Sequence, residues 1–287
     1  MEIGPILRAM IRNKLGAVLI TLQIAFTMTV VINAIFIINE RSNLMARPSG
    51  LDEANTFYLS SVGYGDEFNG VVTVRDDLER LRQTPGVVDA TVTNAIPVSG
   101  SGSNTGVRLV DDEAAATSFA AYYRVDEHAI ETMDLDLVAG RNFAAEDVQW
   151  RAGSEAITTR ELIISQQLAN NLFPDREPNG VLGETMFING SEAHQIIGVV
   201  EQLQGPWPSN SSVELSMLQP NSSVGSSATY LIRTEPGQRD RLMAEVEEML
   251  VASNSNRIIR DLMSLEQTRE GSYRIDSAMS TILWAII

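Results

Sequence analysis

The side chains that most often mark a metal centre or a nucleophile are scarce in this chain. It has two histidines, His128 and His194, and no cysteine. The histidines are far apart in sequence and lack the spacing of metal ligands, so we interpret both as surface or core residues. No serine stands in a Gly-x-Ser-x-Gly turn, which would hold a hydrolase nucleophile. The sequence therefore predicts no catalytic, cofactor-binding or metal site, and no enzyme.

The single lysine, Lys14, excludes one further activity. A Walker A loop needs a lysine directly after its last glycine, and Lys14 follows Asn13. Any ATP that powers this protein would therefore be hydrolysed by a separate subunit. Acidic pairs occur at Asp76-Asp77, Asp111-Asp112 and Glu247-Glu248. We interpret these pairs as solvated faces rather than as catalytic carboxylates.

A long uncharged segment, residues 16–39, dominates the N-terminal region. A helix of this length would span about 36 Å, and a bilayer core of about 30 Å needs about 20 residues. The sequence therefore predicts transmembrane helix 1 at 16–39. The alternatives are a cleaved secretory signal, whose apolar region is usually shorter, and a buried core helix, which rarely lacks a polar face.

The charges that flank this segment predict its orientation. Arg8, Arg12 and Lys14 make residues 1–15 a basic elbow, which the positive-inside rule places in the cytoplasm. The main domain, residues 40–276, then lies outside the cytoplasm. It holds nearly all of the acidic residues of a chain whose formal net charge is −16. Such a surface repels nucleic acid and anionic lipid headgroups.

Small and mildly polar residues recur every four positions along the predicted transmembrane helix. They are Ala17, Thr21, Ala25, Thr29 and Asn33. Such a ridge lets helices approach closely and hydrogen-bond across the contact. We predict that it packs on a second span or on a partner protomer. The alternative is that membrane helices are rich in small residues anyway.

The C-terminal segment, residues 277–287, is again uncharged and apolar. Its length is about half of what a membrane span needs. It predicts the start of a truncated transmembrane helix 2, which would make the chain a fragment of a longer protein. The alternative is that this segment only dips into the membrane interface.

Two strand–helix–strand units are predicted in the main domain. The first has strands at 56–60 and 87–96 and a helix that Thr73 caps; the second has strands at 229–233 and 258–262 and a helix at 239–251. In the first helix, Val74, Leu78 and Leu81 form one apolar stripe at helical spacing. Two such units pair into one sheet with helices on one face, which indicates an α+β fold.

Different elements lie between the two units, and we interpret residues 126–204 as an inserted α+β subdomain. Asn189-Gly190 joins two strand candidates and is the strongest short hairpin signal in the chain. Residues 205–227 are rich in Gly, Pro, Ser and Asn, which predicts an exposed loop with a short strand. Trp207 stands in that loop, either as an anchor for a partner or the headgroup region or as a local hydrophobic plug.

Five short motifs follow one another in the domain, and each is weak alone. They are Ala139–Phe143 with Asp147, Leu162–Ser165, Leu168–Pro174, Pro178-Asn179-Gly180 and Ile196–Val200. Their order and spacing resemble the MacB/FtsX family of ABC-transporter permeases, specifically the MacB-like periplasmic core domain. The resemblance covers nearly the whole chain. It departs from the family at residues 181–184, where the family usually has a basic residue and a regular strand.

The resemblance implies a fold and a function. Residues 55–125 and 205–270 would form a porter-like part, into which the subdomain is inserted. The full permease would have four spans in the bacterial inner membrane, with the N-terminus cytoplasmic and the main domain periplasmic. It would work as a homodimer or heterodimer with a cytoplasmic ABC ATPase, with a periplasmic adaptor as a further candidate partner. Such permeases transmit ATP-driven motion (mechanotransmission) for export, lipoprotein release or control of cell-wall hydrolases. The alternative is a membrane-tethered periplasmic sensor or adaptor that binds a ligand or a protein partner.

The resemblance also implies structural roles for residues of these motifs. They are Gly140, Arg141, Phe143, Leu172, Phe173, Pro178, Gly180 and Gly198. Gly140 permits a turn with positive φ, Phe143 can fill a small core, and Arg141 can pair with a nearby acid.

Overall fold

The computed structural model describes residues 13–65, 68–112, 114–152, 155–188, 192–210 and 212–287. It divides into two compact units: a helical unit, formed by the chain up to Arg47 and by Tyr273–Ile287, and a mixed unit, Pro48–Ser272. Most of the predicted basic elbow and the predicted Asn189-Gly190 turn lie outside the described residues.

The helices and strands alternate through most of the chain. The α-helices of the described residues are α1 (Lys14–Ala46), α2 (Gly70–Arg82), α3 (Ala129–Met133), α4 (Gln166–Leu172), α5 (Arg239–Ser253), α6 (Leu265–Ser272) and α7 (Arg274–Ile286). The strands are β1 (Thr56–Gly63), β2 (Val87–Thr93), β3 (Asn104–Arg108), β4 (Ser118–Arg124), β5 (Leu137–Gly140), β6 (Gln149–Ala152), β7 (Glu161–Ser165), β8 (Thr185–Ile188), β9 (Glu192–Val200), β10 (Ser216–Gln219), β11 (Asn221–Val224), β12 (Ser227–Thr234) and β13 (Arg257–Ser264).

The helical unit contains α1 and α7. Helix α1 has 33 residues and includes all of segment 16–39. In the described part of the chain, it alone is long and apolar enough to cross a membrane. The Asn13 side chain caps it by accepting a hydrogen bond from the Gly16 amide at 3.1 Å. Helix α7 begins before residue 277, and its Asp276 forms an ion pair with Arg41 of α1.

A four-stranded antiparallel sheet has the order β13-β1-β12-β2. Helices α2 and α5 bury apolar stripes against it because their leucines and valines recur at helical spacing. The buried stripe residues are Val74, Leu78, Leu81, Leu242, Val246 and Leu250. The predicted stripe on α2 is therefore confirmed, and the α5 stripe packs into the same core as Phe57 and Ile232.

Helix α2 begins earlier than the sequence predicted. The Asn69 side chain accepts a hydrogen bond from the Val72 amide at 3.2 Å, so the helix starts at Gly70. The prediction that Thr73 caps the helix is wrong, because an asparagine that is as good an N-cap precedes it. Thr73 lies inside the helix, and the first turn holds no acidic residue.

A seven-stranded sheet has the order β5-β9-β7-β10-β4-β3-β8. Strand β8 pairs with both β3 and β9, so six of these strands form a closed ring. Alternate residues of each strand face one side of a sheet, and here they fill an apolar core. Leu162, Ile164, Met186 and Met217 are among its fully buried members. A small third sheet pairs β6 with β11.

The seven-stranded sheet extends beyond residues 126–204. It includes β3 and β4 on one side of that segment and β10 on the other. Strand β10 lies between β7 and β4, and Met217 and Leu218 are fully buried. A short strand was predicted within 205–227 and is present, but the prediction that this segment is exposed is wrong for β10. Its four residues are too few to show a strand period, and pairing with both neighbours decides their burial.

Candidate functional site

Gly140 and Gly198 lie opposite each other where β5 pairs antiparallel with β9. Gly140 has a φ of +79°, in the left-handed region that favours glycine. A Cβ atom at this position would collide with the carbonyl oxygen of Ile197. A Cβ atom at Gly198 would lie 2.7 Å from the Arg141 carbonyl oxygen. Both glycines therefore allow the two backbones to approach more closely than any side chain permits.

The residues that follow Gly140 form a turn held by an ion pair. Arg141 Nη1 lies 2.6 Å from Asp147 Oδ2, which also accepts a hydrogen bond from the Ala144 amide at 2.9 Å. The hydrogen bond to Arg141 lowers the pKa of Asp147. Phe143, which lies between Arg141 and Asp147 in the sequence, is buried in a core that it shares with Tyr123. The Arg141–Asp147 ion pair thus holds the turn, and Phe143 attaches it to the neighbouring core.

The second group of motif residues lies at the end of α4 and in the turn beyond it. Leu172 and Phe173 pack on the core inside the closed ring of strands. The Arg176 guanidinium lies 5.3 Å from the centre of the Phe173 ring and forms an ion pair with Glu184. Pro178 and Gly180 belong to a short 3₁₀-helix, Pro178–Val181. These residues lie near one another, and the 3₁₀-helix also contacts β5, the strand that ends at Gly140.

Trp207 is half-buried and lines a largely apolar groove of about 500 Å³. Tyr58 and Met263, from two strands of the four-stranded sheet, line the same groove. The rest of its lining is Ser99, Gly100, Pro208, Ser209, Gln267, Thr268, Gly271 and Ser272. Trp207 is only partly buried, so part of its indole is accessible to a partner side chain.

Sequence reasoning missed a buried ion pair between α2 and β13. Asp77 accepts hydrogen bonds from both terminal nitrogens of Arg257, one of them at 2.9 Å, and from the Tyr230 hydroxyl at 2.6 Å. The prediction that Asp76-Asp77 is a solvated face is therefore wrong for Asp77, which is 2% exposed. Its position three residues after Val74 puts it on the apolar stripe, and that spacing was the available signal.

A second polar network surrounds His128. Its Nδ1 atom lies 2.9 Å from Asp89 Oδ2, and Arg82 bridges Asp89 and Asp126 at 3.3 and 2.7 Å. The hydrogen bond to Asp89 raises the pKa of His128. Burial raises the pKa of Asp126, against the opposing effects of Arg82 and of the Thr91 hydroxyl at 2.6 Å. The network connects α2, β2 and the segment between β4 and α3.

His194 has a different environment. It is buried on β9, and its Nδ1 atom lies 3.0 Å from the Glu192 carbonyl oxygen. Burial lowers the pKa of this imidazole. Across the part of the chain that the structure describes, no three His, Cys, Asp or Glu side chains are grouped as metal ligands.

A family model described as the MacB-like periplasmic core domain matches residues 16–249 of this chain. The match begins within α1 and ends within α5, so it includes both the apolar helix and most of the mixed unit. The chain belongs to this family. No curated protein matches it significantly.

Three solved structures match this MacB-like chain at low sequence identity. The periplasmic region of MacB from Actinobacillus actinomycetemcomitans is 15% identical, with a TM-score of 0.48, over 80% of this chain and 97% of that one. The extracellular domain of the noncanonic ABC-type transporter YknZ from Gram-positive bacteria is 16% identical, with a TM-score of 0.44, over 72% and 100%. A domain of a putative permease from Porphyromonas gingivalis is 19% identical, with a TM-score of 0.40, over 76% and 92%. Family membership rests on the family match alone.

The apolar helix α1 of this MacB-like protein has two distinct faces. The face that α7 shares buries Ala34 and Ile38, which lie one turn apart. The predicted ridge occupies the other side of α1 at 100° per residue. Its members Thr21, Ala25, Thr29 and Asn33 are exposed, and Ala17 is partly covered. The structure thus brings α7 to a face other than the predicted ridge.

Proposed function

We propose that this chain is the permease subunit of an ABC transporter of the MacB/FtsX type. In this role it transmits ATP-driven motion from a cytoplasmic ATPase to a periplasmic domain, for export or release of a substrate. The observation that carries the proposal is the family match, which extends continuously from the apolar helix through the mixed unit.

The chain connectivity suits such a transmission. The polypeptide enters the mixed unit from α1 and leaves it into α7. These two helices contact each other, and Arg41 and Asp276 form an ion pair between them. A movement of α1 and α7 therefore acts on both ends of the mixed unit, through its covalent connections to the two helices. A packed core transmits such a displacement because it has little compressibility.

Within the domain, we assign the four-stranded sheet with α2 and α5 to the porter-like part of the fold. The seven-stranded sheet then corresponds to the inserted subdomain, with boundaries near β3 and β10. We assign the family-motif residues around Gly140 and Phe173 to holding this subdomain rigid. Trp207 is our candidate contact for a periplasmic adaptor, because aromatic side chains in partly covered grooves often anchor partners.

We place α1 in the bacterial inner membrane with its N-terminus in the cytoplasm and the mixed unit in the periplasm. The chain lacks cysteine, so single cysteines report this arrangement without background. Ser209→Cys should react with a membrane-impermeant maleimide in intact spheroplasts, because Ser209 is exposed. Lys14→Cys should react only after permeabilisation. Reaction of Lys14→Cys in intact spheroplasts would reverse the proposed orientation.

The functional test is recovery of an ATPase with the full-length chain. The tagged protein, extracted in mild detergent, should retain a cytoplasmic ABC ATPase that mass spectrometry identifies, together with a second permease protomer. A single-span membrane protein with the same tag serves as the control. Recovery of a cytoplasmic signalling protein, with no ATPase, would instead support the sensor or adaptor alternative.

A further inference from the structure

We propose that the mixed unit binds a tetrahedral oxyanion, of the phosphate type, in a cavity beside Arg124. The cavity has a volume of about 240 Å³ and lies between β2, β4, β11 and β12. We call it the Arg124 cavity. Its polar lining consists of Thr93, Asn94, Arg124, Ser222, Ser227 and Thr229. This proposal goes beyond the transport function and does not depend on it.

The charge of the cavity is the first argument. Arg124 is half-buried and has its guanidinium 5.2 Å from the centre of the Tyr122 ring. Among the described residues, no carboxylate forms an ion pair with it, and its buried Nε atom has no hydrogen-bond acceptor. A cation taken partly out of water requires a compensating charge.

A second arginine adds to this positive charge. Arg151 is 5% exposed and lies on β6, the strand that pairs with β11. Burial and the nearby charge of Arg124 lower the pKa of Arg151, while Glu155 acts in the opposite direction. One terminal nitrogen of Arg151 donates to the Glu155 backbone carbonyl, and its Nε has no acceptor among the described residues. An anion beside Arg124 would relieve the repulsion between the two guanidinium groups.

Neutral donors provide the second, independent argument. Ser222 is 3% exposed and lines the cavity, and its hydroxyl has no hydrogen-bond partner within the described structure. Buried polar groups in proteins are nearly always hydrogen-bonded, so the unpartnered Ser222 hydroxyl at a cavity indicates a ligand.

The set of donors selects the class of ligand. The described lining contains a guanidinium, an amide and hydroxyl groups, and it contains no carboxylate, which a bound cation would need. An arginine fork with hydroxyls arriving from other strands suits an oxyanion whose oxygens point in several directions. The volume is below the usual range of about 300–1,000 Å³ for drug-sized ligands, so a phosphate group with at most a short substituent fits.

The position of the cavity gives the expected consequence of binding. Its lining comes from strands of all three sheets: β2 and β12, β4, and β11. An anion held there binds the folded protein and not the unfolded chain, so it should raise the thermal midpoint.

The experiment is titration of the full-length chain, in a maltoside detergent without phosphate, with sodium phosphate. Isothermal calorimetry and the thermal midpoint are both read. Saturable phosphate binding and a rise in midpoint are expected for the native chain. The Arg160→Gln control removes the same charge as Arg124→Gln. It should bind phosphate as the native chain does, because Arg160 is exposed and lies outside the cavity lining.

Two cavity variants test the assignment. Arg124→Gln should weaken phosphate binding about tenfold or more, since hydrogen bonds to charged groups contribute about 1.5–3 kcal/mol. Ser222→Ala, a milder change, should weaken it about threefold to tenfold and keeps the proposal testable if Arg124→Gln does not fold. Equal binding by Ser222→Ala and the native chain, or no binding by the native chain, overturns the proposal.

Parallel titrations identify the source of the anion. Preference for inorganic phosphate indicates a free anion, and preference for glycerol 3-phosphate indicates a phosphate ester such as a lipid headgroup; either result supports the site. Binding of acetate in place of phosphate overturns the assignment to a tetrahedral oxyanion.

Discussion

Asp77 and Arg257 form a bidentate ion pair in the interior of the mixed unit, where both side chains are at most 2% exposed. Asp77 comes from α2 and Arg257 from the first residue of β13, which are far apart in sequence. The Tyr230 hydroxyl and the Ser253 hydroxyl, at 2.6 and 2.7 Å, complete the hydrogen bonding of the pair. A fully satisfied buried pair contributes little net energy, but loss of one partner leaves an uncompensated charge.

We therefore expect Arg257→Met to destabilise the protein by about 3–5 kcal/mol, because Asp77 remains buried without its partner. The free energy of unfolding is measured by urea titration of the full-length chain in detergent. The matched control is Arg241→Met, which removes an exposed pair with Glu245 and should cost less than about 1 kcal/mol. Equal losses for the two variants would contradict the structural role of the buried pair.

The His128 network predicts a pH dependence. The hydrogen bond to Asp89 raises the folded-state pKa of His128 above its ordinary value of 6.5. Its contribution to stability is therefore fully present below about pH 6.5 and is lost as the pH rises through the folded-state pKa. His194, whose pKa is lowered by burial, is almost wholly neutral in both states above about pH 7.5 and adds little there.

The thermal midpoint of the native chain should thus fall between about pH 6.5 and 8.5, and His128→Gln should reduce this fall. His194→Gln serves as the control and should keep the native slope above about pH 7.5, where His194 is neutral in both states. An unchanged slope in His128→Gln would show that another group carries the dependence.

The close approach of β5 and β9 at Gly140 predicts that Gly140→Ala destabilises the protein by about 2–4 kcal/mol. The cost combines the left-handed backbone with a clash against the Ile197 carbonyl. Gly237→Ala is the matched control, because Gly237 has the same φ of +79° but open space around it. It should cost about 1–2 kcal/mol. A smaller loss of stability for Gly140→Ala than for Gly237→Ala would contradict the close approach of β5 and β9.

The packing of α1 on α7 predicts a disulfide. Ile38 and Ser280 are the buried positions nearest the Arg41–Asp276 pair, so Ile38→Cys with Ser280→Cys should cross-link within one chain when membranes are oxidised. Asn33→Cys with Ser280→Cys is the control and should react slowly, since Asn33 is exposed on another side of α1. Faster cross-linking by the control pair would contradict the observed packing.

A single Asn33→Cys chain tests the ridge itself. If the ridge packs on a second protomer, oxidation should give a disulfide-linked dimer, because exposed small residues allow close approach. The same cysteine at Ile38, which α7 covers, should give far less dimer. Equal dimer yields from the two positions would argue that the dimer forms by random collision.

The sequence by itself determined the features that depend on local order along the chain. The uncharged segment 16–39 forms a helix, whose backbone hydrogen bonds are made between residues four positions apart in the same segment. The α2 and α5 stripes follow from helical spacing, and the order of short motifs sufficed for the family. Gly140 was predicted to allow positive φ, and the structure has it there.

Only the tertiary structure decided what depends on residues far apart in sequence. Ser216–Gln219 was predicted to be exposed, but it forms a central strand because β4 and β7 hydrogen-bond to it from both sides. Asp77 is buried because Arg257 arrives from a distant strand to neutralise it. The Arg124 cavity is likewise assembled from four separate strands. The local sequence pattern does not identify such distant partners, because the pairing and packing of the sheets determine which residues meet.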